Sequence, residues 1–397
     1  MGKILTKNKV HKLGLDRKET ITEEDLQGYT QIGPGAFDYC SSLQSVIIPE
    51  GITHIGKWAF FNCNNLTSVT LPKSILSIEC QAFGNCFSLQ TVNYTGDITS
   101  WCDIQFKHAN SNPLYYARDL IINGELITDL VIPNTVTTIK DWAFVHYCAL
   151  KSVVISDSVT EIGNAAFSDC SFLACVTIGN NVTCIGKSAF DKCMQLTSIN
   201  IPDSVISIGD AAFYYCVYLT TLTIGKGLTR IGRSAFRFCT RLSTVTFPNR
   251  EIEIEAHAFA HCDKLTSISF PNSVKSIGSE AFAGCISLTS VTIKDQEYQE
   301  QPFNTTLTKA YKAFSKDLIC RGFKYKEGRA YREQKIKLCS RGFHACLKLS
   351  DVFNYYNGTF NREIVVHEVF LEDISPERQP FDSKVVAHKI TIGKKIL

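Results

Sequence analysis

From Ile32 onward, apolar residues fall in the same places every 23 residues. The shared pattern is Ile-Gly-x-x-Ala-Phe-x-x-Cys-x-x-Leu-x-x-Val-x-Ile-Pro-x-x-Val-x-x, with Phe at 37, 60, 83, 144, 167, 190, 213, 236, 259 and 282. The spacing holds everywhere except between Phe83 and Phe144. In Leu196-Thr197-Ser198-Ile199-Asn200-Ile201 the alternation of apolar and polar residues is that of a strand with one buried face. One strand per repeat, stacked coil on coil, predicts a parallel sheet wound into a solenoid of about ten coils.

The rest of each repeat has its own expected tasks. Pro202 and its equivalents remove a backbone donor and end the strand, while Val205 and Ile208 start a second short apolar stretch. Gly209 is expected to give the backbone freedom for a corner. Ala212-Phe213-x-x-Cys216 is expected to form a tight helical turn that drops Phe and Cys into the core.

Nine of the ten coils place Cys three residues after the Phe; coil four has Tyr147 there, with Cys148 next to it. Stacked coils would bring these thiols within about 5 Å of one another. They lack the flanking His or Asp of a metal site, so the row reads as packing of a small, readily buried hydrophobe. The chain has 17 cysteines, an odd number, and they are expected to be reduced thiols.

These repeats resemble the BspA-like leucine-rich repeats, found in bacterial surface proteins and expanded in some protists, over about residues 32–293. The resemblance implies an α/β leucine-rich-repeat solenoid with a parallel sheet. It also implies adhesion, host-factor binding or protein recognition without catalysis or cofactor. The division expected is an N-terminal segment and cap at 1–31, repeats one to three at 32–94, and repeats four to ten at 130–295. Between them, 95–129 breaks the period with a short helix around Trp101 and a hairpin turning at Asn123-Gly124. Such an insertion suits either a binding face or a bridge between two sub-solenoids.

Partner residues are sought where the repeat varies. The outward strand positions are nearly uniform Thr and Ser, as in Thr67-Ser68-x-Thr70, and suit a pleated surface rather than a hot spot. The two residues after each Phe vary far more. There Tyr39, Phe61, His146, Tyr214, Tyr215, Arg237, Phe238 and His261 are expected to form an aromatic and charged ridge along one edge, for another protein or a surface ligand.

Composition adds limits. The chain is 45% hydrophobic and 20% charged, and no apolar run reaches the roughly 18 residues of a membrane helix. Its opening residues carry no apolar stretch of the secretory kind, so the expected location is the cytoplasm. They do fit the short Met-Gly-x-x-x-Thr pattern for acylation of Gly2. The formal charge of +3 hides a basic C-terminal part: residues 305–397 hold 18 Lys and Arg against 10 Asp and Glu.

After a polar linker at 296–304, residues 305–397 read as a separate basic α+β domain of helix, strands, helix and strands. Its Cys-Arg-Gly-Phe, Leu-Cys-x-x-Gly-Phe-His-Ala-Cys and Asp-Ser-Lys motifs look like a small domain common in phage and prophage proteins, with no activity assigned. Cys320, Cys339, His344 and Cys346 could supply four zinc ligands, although their spacing is not that of paired Cys-x-x-Cys modules. His344 and Cys346 lack the orienting acid of a nucleophile pair. Arg321-Gly322, then Gly342-Phe343 with Tyr355 downstream, is similar to the core of ADP-ribosyltransferases, which would assign Arg321, Tyr355 and Glu372 or Glu368 to a nicotinamide dinucleotide site. The Glu-x-Glu context of that family is absent. Lys324, Lys326, Arg329, Arg332, Lys335 and Lys337 cluster, but without a nucleic-acid-binding motif the nucleic-acid reading is the weaker one. Recognition by the repeats is therefore the expected function, with an NAD-using effector as the alternative.

Overall fold

A computed structural model describes residues 2–271, 274–288 and 290–294, and beyond them the backbone of seven strands between 308 and 395. The chain divides into two compact units, Met1–Leu219 and Thr220–Leu397.

In the first unit each coil contributes to two parallel ladders. The first ladder begins Thr20–Ile21, Ser45–Ile47, Ser68–Leu71, Thr91–Tyr94 and Asp119–Ile122. The second begins Ile4–Leu5, Gln31–Ile32, His54–Ile55, Ser77–Ile78 and Gln105–Phe106. Val46, Val69 and Val92 point inward from the first ladder, and Ile32, Ile55 and Ile78 from the second. The second apolar stretch of the repeat is thus a strand in its own right. Both ladders restart after the irregular segment, with Asp129–Ile132 and Thr138–Ile139.

The third side of each coil departs from the expected helical turn. Gly35, Phe37 and Tyr39 donate through their N–H groups to Lys57, Ala59 and Phe61 of the next coil, at 2.9, 2.7 and 2.8 Å. The amides between them close short turns instead: Ala36 to Gly33, Asp38 to Gly35 and Cys40 to Phe37. With this alternation, the residues two before and two after the core Phe are left-handed. Trp58, Asn62, Ala165, Asp169, Ser188, Lys192 and Ala211 all lie at φ between 50 and 61°. The peptide linking Ala59 to Phe60 accepts from Phe37 and donates to Ala82, so peptide units line up head to tail as they do inside a helix. Each coil carries three such columns.

The core Phe side chains follow the columns. Phe37, Phe60 and Phe83 stack with centroids 5.2 Å apart, and Phe144, Phe167, Phe190 and Phe213 repeat this at 5.3 Å. Beside them, Cys thiols donate to the Phe carbonyl of the preceding coil, as Cys63 does to Phe37 at 3.1 Å and Cys193 to Phe167 at 3.2 Å. The cysteine is more than a small hydrophobe, because its S–H satisfies a buried carbonyl. Burial pushes the Cys86 thiol up to about 12, which keeps it protonated and unreactive.

The glycine of Ile-Gly has a different role from the one expected. Gly209 does not have a positive φ; a Cβ there would lie 2.6 Å from Gly186 C and Lys187 N of the preceding coil. Gly186 and Gly163 are under the same constraint against the coils before them. The glycines allow close approach of coils, and Gly209→Ala is expected to cost roughly 2 kcal/mol by overpacking. A thermal melt within 1 °C of the parent protein would disprove that role.

Residues 95–129 form a helix, Ile98–Asp103, and a hairpin, Asp119–Ile122 with Glu125–Leu126, as the sequence suggests. They are more than an attachment. Gln105–Phe106 and Asp119–Ile122 occupy one rung in each ladder, so the segment is an enlarged coil. The helix starts in a capping box between Asp97 and Ser100. Trp101 is fully buried, 5.1 Å from Tyr94 and 5.7 Å from Phe106.

The second unit repeats the coil design in Thr221–Ile224, Thr244–Thr246, Ser267–Pro271 and Ser290–Lys294, with Phe236, Phe259 and Phe282 stacked inside. In its C-terminal part Thr308–Ser315 is a strand where the sequence suggested a helix. It pairs antiparallel with Ile364–Ile374 and, through Tyr311, with Phe343–Cys346. Lys384–Lys395 pairs with both of those strands, which closes the pairings into a cycle. The linker at 296–304 and the expected helix at 349–356 lie outside the described residues.

Candidate recognition edge

The residue two after each core Phe is left-handed, at φ near 60° in Tyr39, His146, Tyr215, Phe238 and His261. Its amide enters the column, while its side chain stays at least partly exposed. Tyr39 is 67% exposed and meets Phe61 edge-on at 6.1 Å. His146 rests against Tyr115 at 4.4 Å and pairs with Asp169 at 3.0 Å. Tyr214 stacks on Tyr215 at 6.1 Å. In the second unit Phe238 stacks on His261 at 4.8 Å, and the Arg237 guanidinium sits 4.9 Å over the Phe238 ring. Tyr39 with Phe61 and Phe238 with His261 therefore make contacts from coil to coil along the turn, Tyr214 and Tyr215 meet within one coil, and His146 meets residues the sequence did not single out.

Sequence reasoning missed other members. Phe87, 73% exposed, directly follows Cys86 and meets Tyr116 at 5.6 Å, and Tyr116 meets Tyr115 at 5.1 Å. Phe172 and Tyr218 stand two residues after Cys170 and Cys216. Variation in the columns after the Cys was the available signal. The irregular coil thus adds aromatic surface as well as joining its neighbours.

That joining resembles the capping of a helix. Asn85, at the end of one column, donates its N–H to Tyr116 Oη at 3.0 Å. Ala143 O, the first acceptor of the column after the break, receives Trp101 Nε1 and Asn112 Nδ2, each at 2.9 Å. Tyr147, in the place of the usual Cys, sends its hydroxyl to Ile127 O and accepts from Leu120 N–H at 3.3 Å. Each replacement supplies a partner of the right sign for a group the break would orphan.

The edge also carries charge. Hydrogen bonding from His146 holds the Asp169 carboxyl below its usual range. Asp191 goes the other way: burial, with the nearby Asp169 charge, pushes it up to about 6, although Lys192 opposes this. Its Oδ1 is buried without a hydrogen-bond partner. A raised carboxylate pKa contributes stability that is full below about pH 4 and lost as pH rises through about 6. Asp191→Asn is therefore expected to stabilise the protein at pH 7.5 by about 1 kcal/mol, discounted because the carboxyl is partly open to water. The gain should vanish at pH 4; an equal gain at both pH values would refute it.

The strand face is built differently. Thr67 and Thr266 donate their hydroxyls to Gln44 O and Ser243 O of the preceding coils, at 2.9 and 3.2 Å. These hydroxyls serve the ladder itself. Among the described residues no group of three or more His, Cys, Asp or Glu is placed to hold a metal, and no helix is long and apolar enough to cross a membrane. Cys320, His344, Cys346 and Glu372 lie on strands, with His344 opposite Val386 and Glu372 opposite Lys389. Arg321, Cys339 and Tyr355 lie outside the described residues.

Two ladders per coil, a stacked Phe and Cys interior and a 23-residue period define a leucine-rich-repeat solenoid. The chain belongs to the BspA-type leucine-rich-repeat family, whose model matches residues 21–120, 123–243 and 207–312 in six copies. A domain of unknown function, DUF7666, matches residues 308–397. The chain is similar to a leucine rich cell surface protein of Faecalibacterium prausnitzii, at 27% identity over 70% of this chain and 79% of that one, TM-score 0.42. It is also similar to the T. pallidum leucine-rich-repeat protein, at 26% identity over 41% and 78% of the two chains, TM-score 0.38. The pneumococcal vaccine antigen PcpA matches at 15% identity over 70% and 79%, TM-score 0.45. A search of curated proteins finds no match.

Proposed function

We propose that the protein is a non-catalytic recognition scaffold that binds another protein along the aromatic edge of its turns. The observation that carries this is the chemistry of that edge: Tyr39, Phe87, Tyr215 and their neighbours are exposed aromatics, the side chains that dominate binding hot spots, whereas the strand hydroxyls are consumed by the ladder. A photocrosslinking residue at Tyr39 or Tyr215 tests it against one at Ser68 on the strand face. The expected result is one discrete adduct from the edge positions, with the adduct at the Tyr39 position abolished by Tyr214→Ser with Tyr215→Ser. Adducts from Ser68 alone would overturn the reading.

A reducing, cytoplasmic home fits a thiol row that functions as hydrogen-bond donors. Unfolding the protein without reductant should then release close to 17 titratable thiols. A count below about half of that would point to an oxidising compartment.

A further inference from the structure

The strand face breaks its own rule in two neighbouring coils. Along the first ladder one outward position is held by Thr70, Asn93, Thr177 and Asn200, with Ile47 and Ile121 half-buried in the same column. On Asp129–Ile132 and Ser152–Ile155 that position holds Val131 and Val154, 63% and 43% exposed and directly opposite each other in register. Leu126 of the hairpin, also exposed, opposes Ile121 on the same face. Two exposed charges frame the valines: Asp129 on the first strand and Lys151 at the start of the second. Asp129 accepts from the Thr128 and Ser152 hydroxyls, which hold its carboxylate in place. Neither Asp129 nor Lys151 joins an ion pair among the described residues.

We infer that this face is an isologous interface, on which a second copy of the chain packs with its strands parallel and its coils running the opposite way. A two-fold axis along the strand direction, midway between the two strands, fixes every pairing. It sets Val131 over the second copy's Val154, and Val154 over the second copy's Val131. The same axis sets Asp129 over Lys151 and Lys151 over Asp129, so one operation gives an apolar centre between two ion pairs. A uniformly acidic or basic partner would repel one of the two charges, whereas the chain's own surface carries both in the order required. The rungs beyond bring no like charges together, because Leu126 on one side faces Cys175 and Thr177 on the other. Sheet faces pack about 10 Å apart with aligned strands, which suits these short β-branched side chains. A contact this small belongs to the weak, transient class of interface.

Sedimentation velocity of the full chain, run up to submillimolar concentration, tests this, and the parent protein is expected to dimerise. Val131→Thr with Val154→Thr should weaken the dimer at least tenfold while keeping the fold, since Thr70 and Thr177 already occupy the equivalent place. Asp129→Lys or Lys151→Asp alone should do the same, because each sets like charges opposite one another. Mixed together, the two single variants should form a heterodimer of parent-like affinity, since every facing pair of charges is then of opposite sign. Tyr214→Ser with Tyr215→Ser should leave the dimer unchanged, which separates this face from the aromatic edge. A monomeric parent, a dimer that survives the Thr pair or either charge reversal, or a mixture that stays monomeric would overturn the inference.

Discussion

Trp101→Ala is expected to split the melting of residues 1–219 into two transitions and to destabilise the segment around it by about 3–5 kcal/mol. The indole lies fully buried among Tyr94, Phe106 and Phe144, and its Nε1 holds Ala143 O of the following coil. In a solenoid, stability is close to a sum of coil terms and nearest-neighbour interfaces. Weakening one interface therefore uncouples the blocks on either side rather than lowering all coils together. Calorimetry with hydrogen exchange on either side of the break would detect this. A single transition shifted by less than 1 °C would show that Trp101 does not join the blocks.

Phe190→Ala is expected to be of similar size, for a different reason. The ring is fully buried and stacked on both sides, against Phe167 and Phe213 at 5.3 Å each, so its removal opens a cavity that neither neighbour can fill without breaking its own stack. A loss of about 3–5 kcal/mol follows. The cavity also adjoins Cys193, whose burial raises its pKa well above the ordinary thiol value in the parent protein. A thiol reagent should label Cys193 in the variant under native conditions. Labelling no faster than in the parent would mean that the column repacks.

These two sites differ in how far the sequence exposes them. The Phe stack was legible because burial imposes the same residue at the same phase in every coil. Trp101 was visible only as part of an irregular segment, since its partner Ala143 lies 42 residues away and no local pattern signals that contact. The left-handed turn positions were illegible for a related reason. Trp58, Ala165, Ser188 and Lys192 have no preference for positive φ; hydrogen bonds to the next coil impose it. Gly209 was noticed but misassigned, because the sequence shows that a side chain is absent and not whether φ or close approach demands it. On the edge, the residues after each Phe could be named from their variation, whereas Tyr115 and Tyr116 come from the enlarged coil and fall outside the repeat frame.

The peptide columns of the third side have an electrical consequence. Each coil adds its dipoles in series, with carbonyl oxygens facing the chain start and amide hydrogens facing onward, so an unbroken array would accumulate potential at its ends as a long helix does. Residues 95–129 interrupt that series, supplying a hydroxyl oxygen to one exposed pole and side-chain N–H groups to the other. The enlarged coil thus acts as an insulator between two shorter stacks, and it limits the field that each stack imposes on charges along the edge.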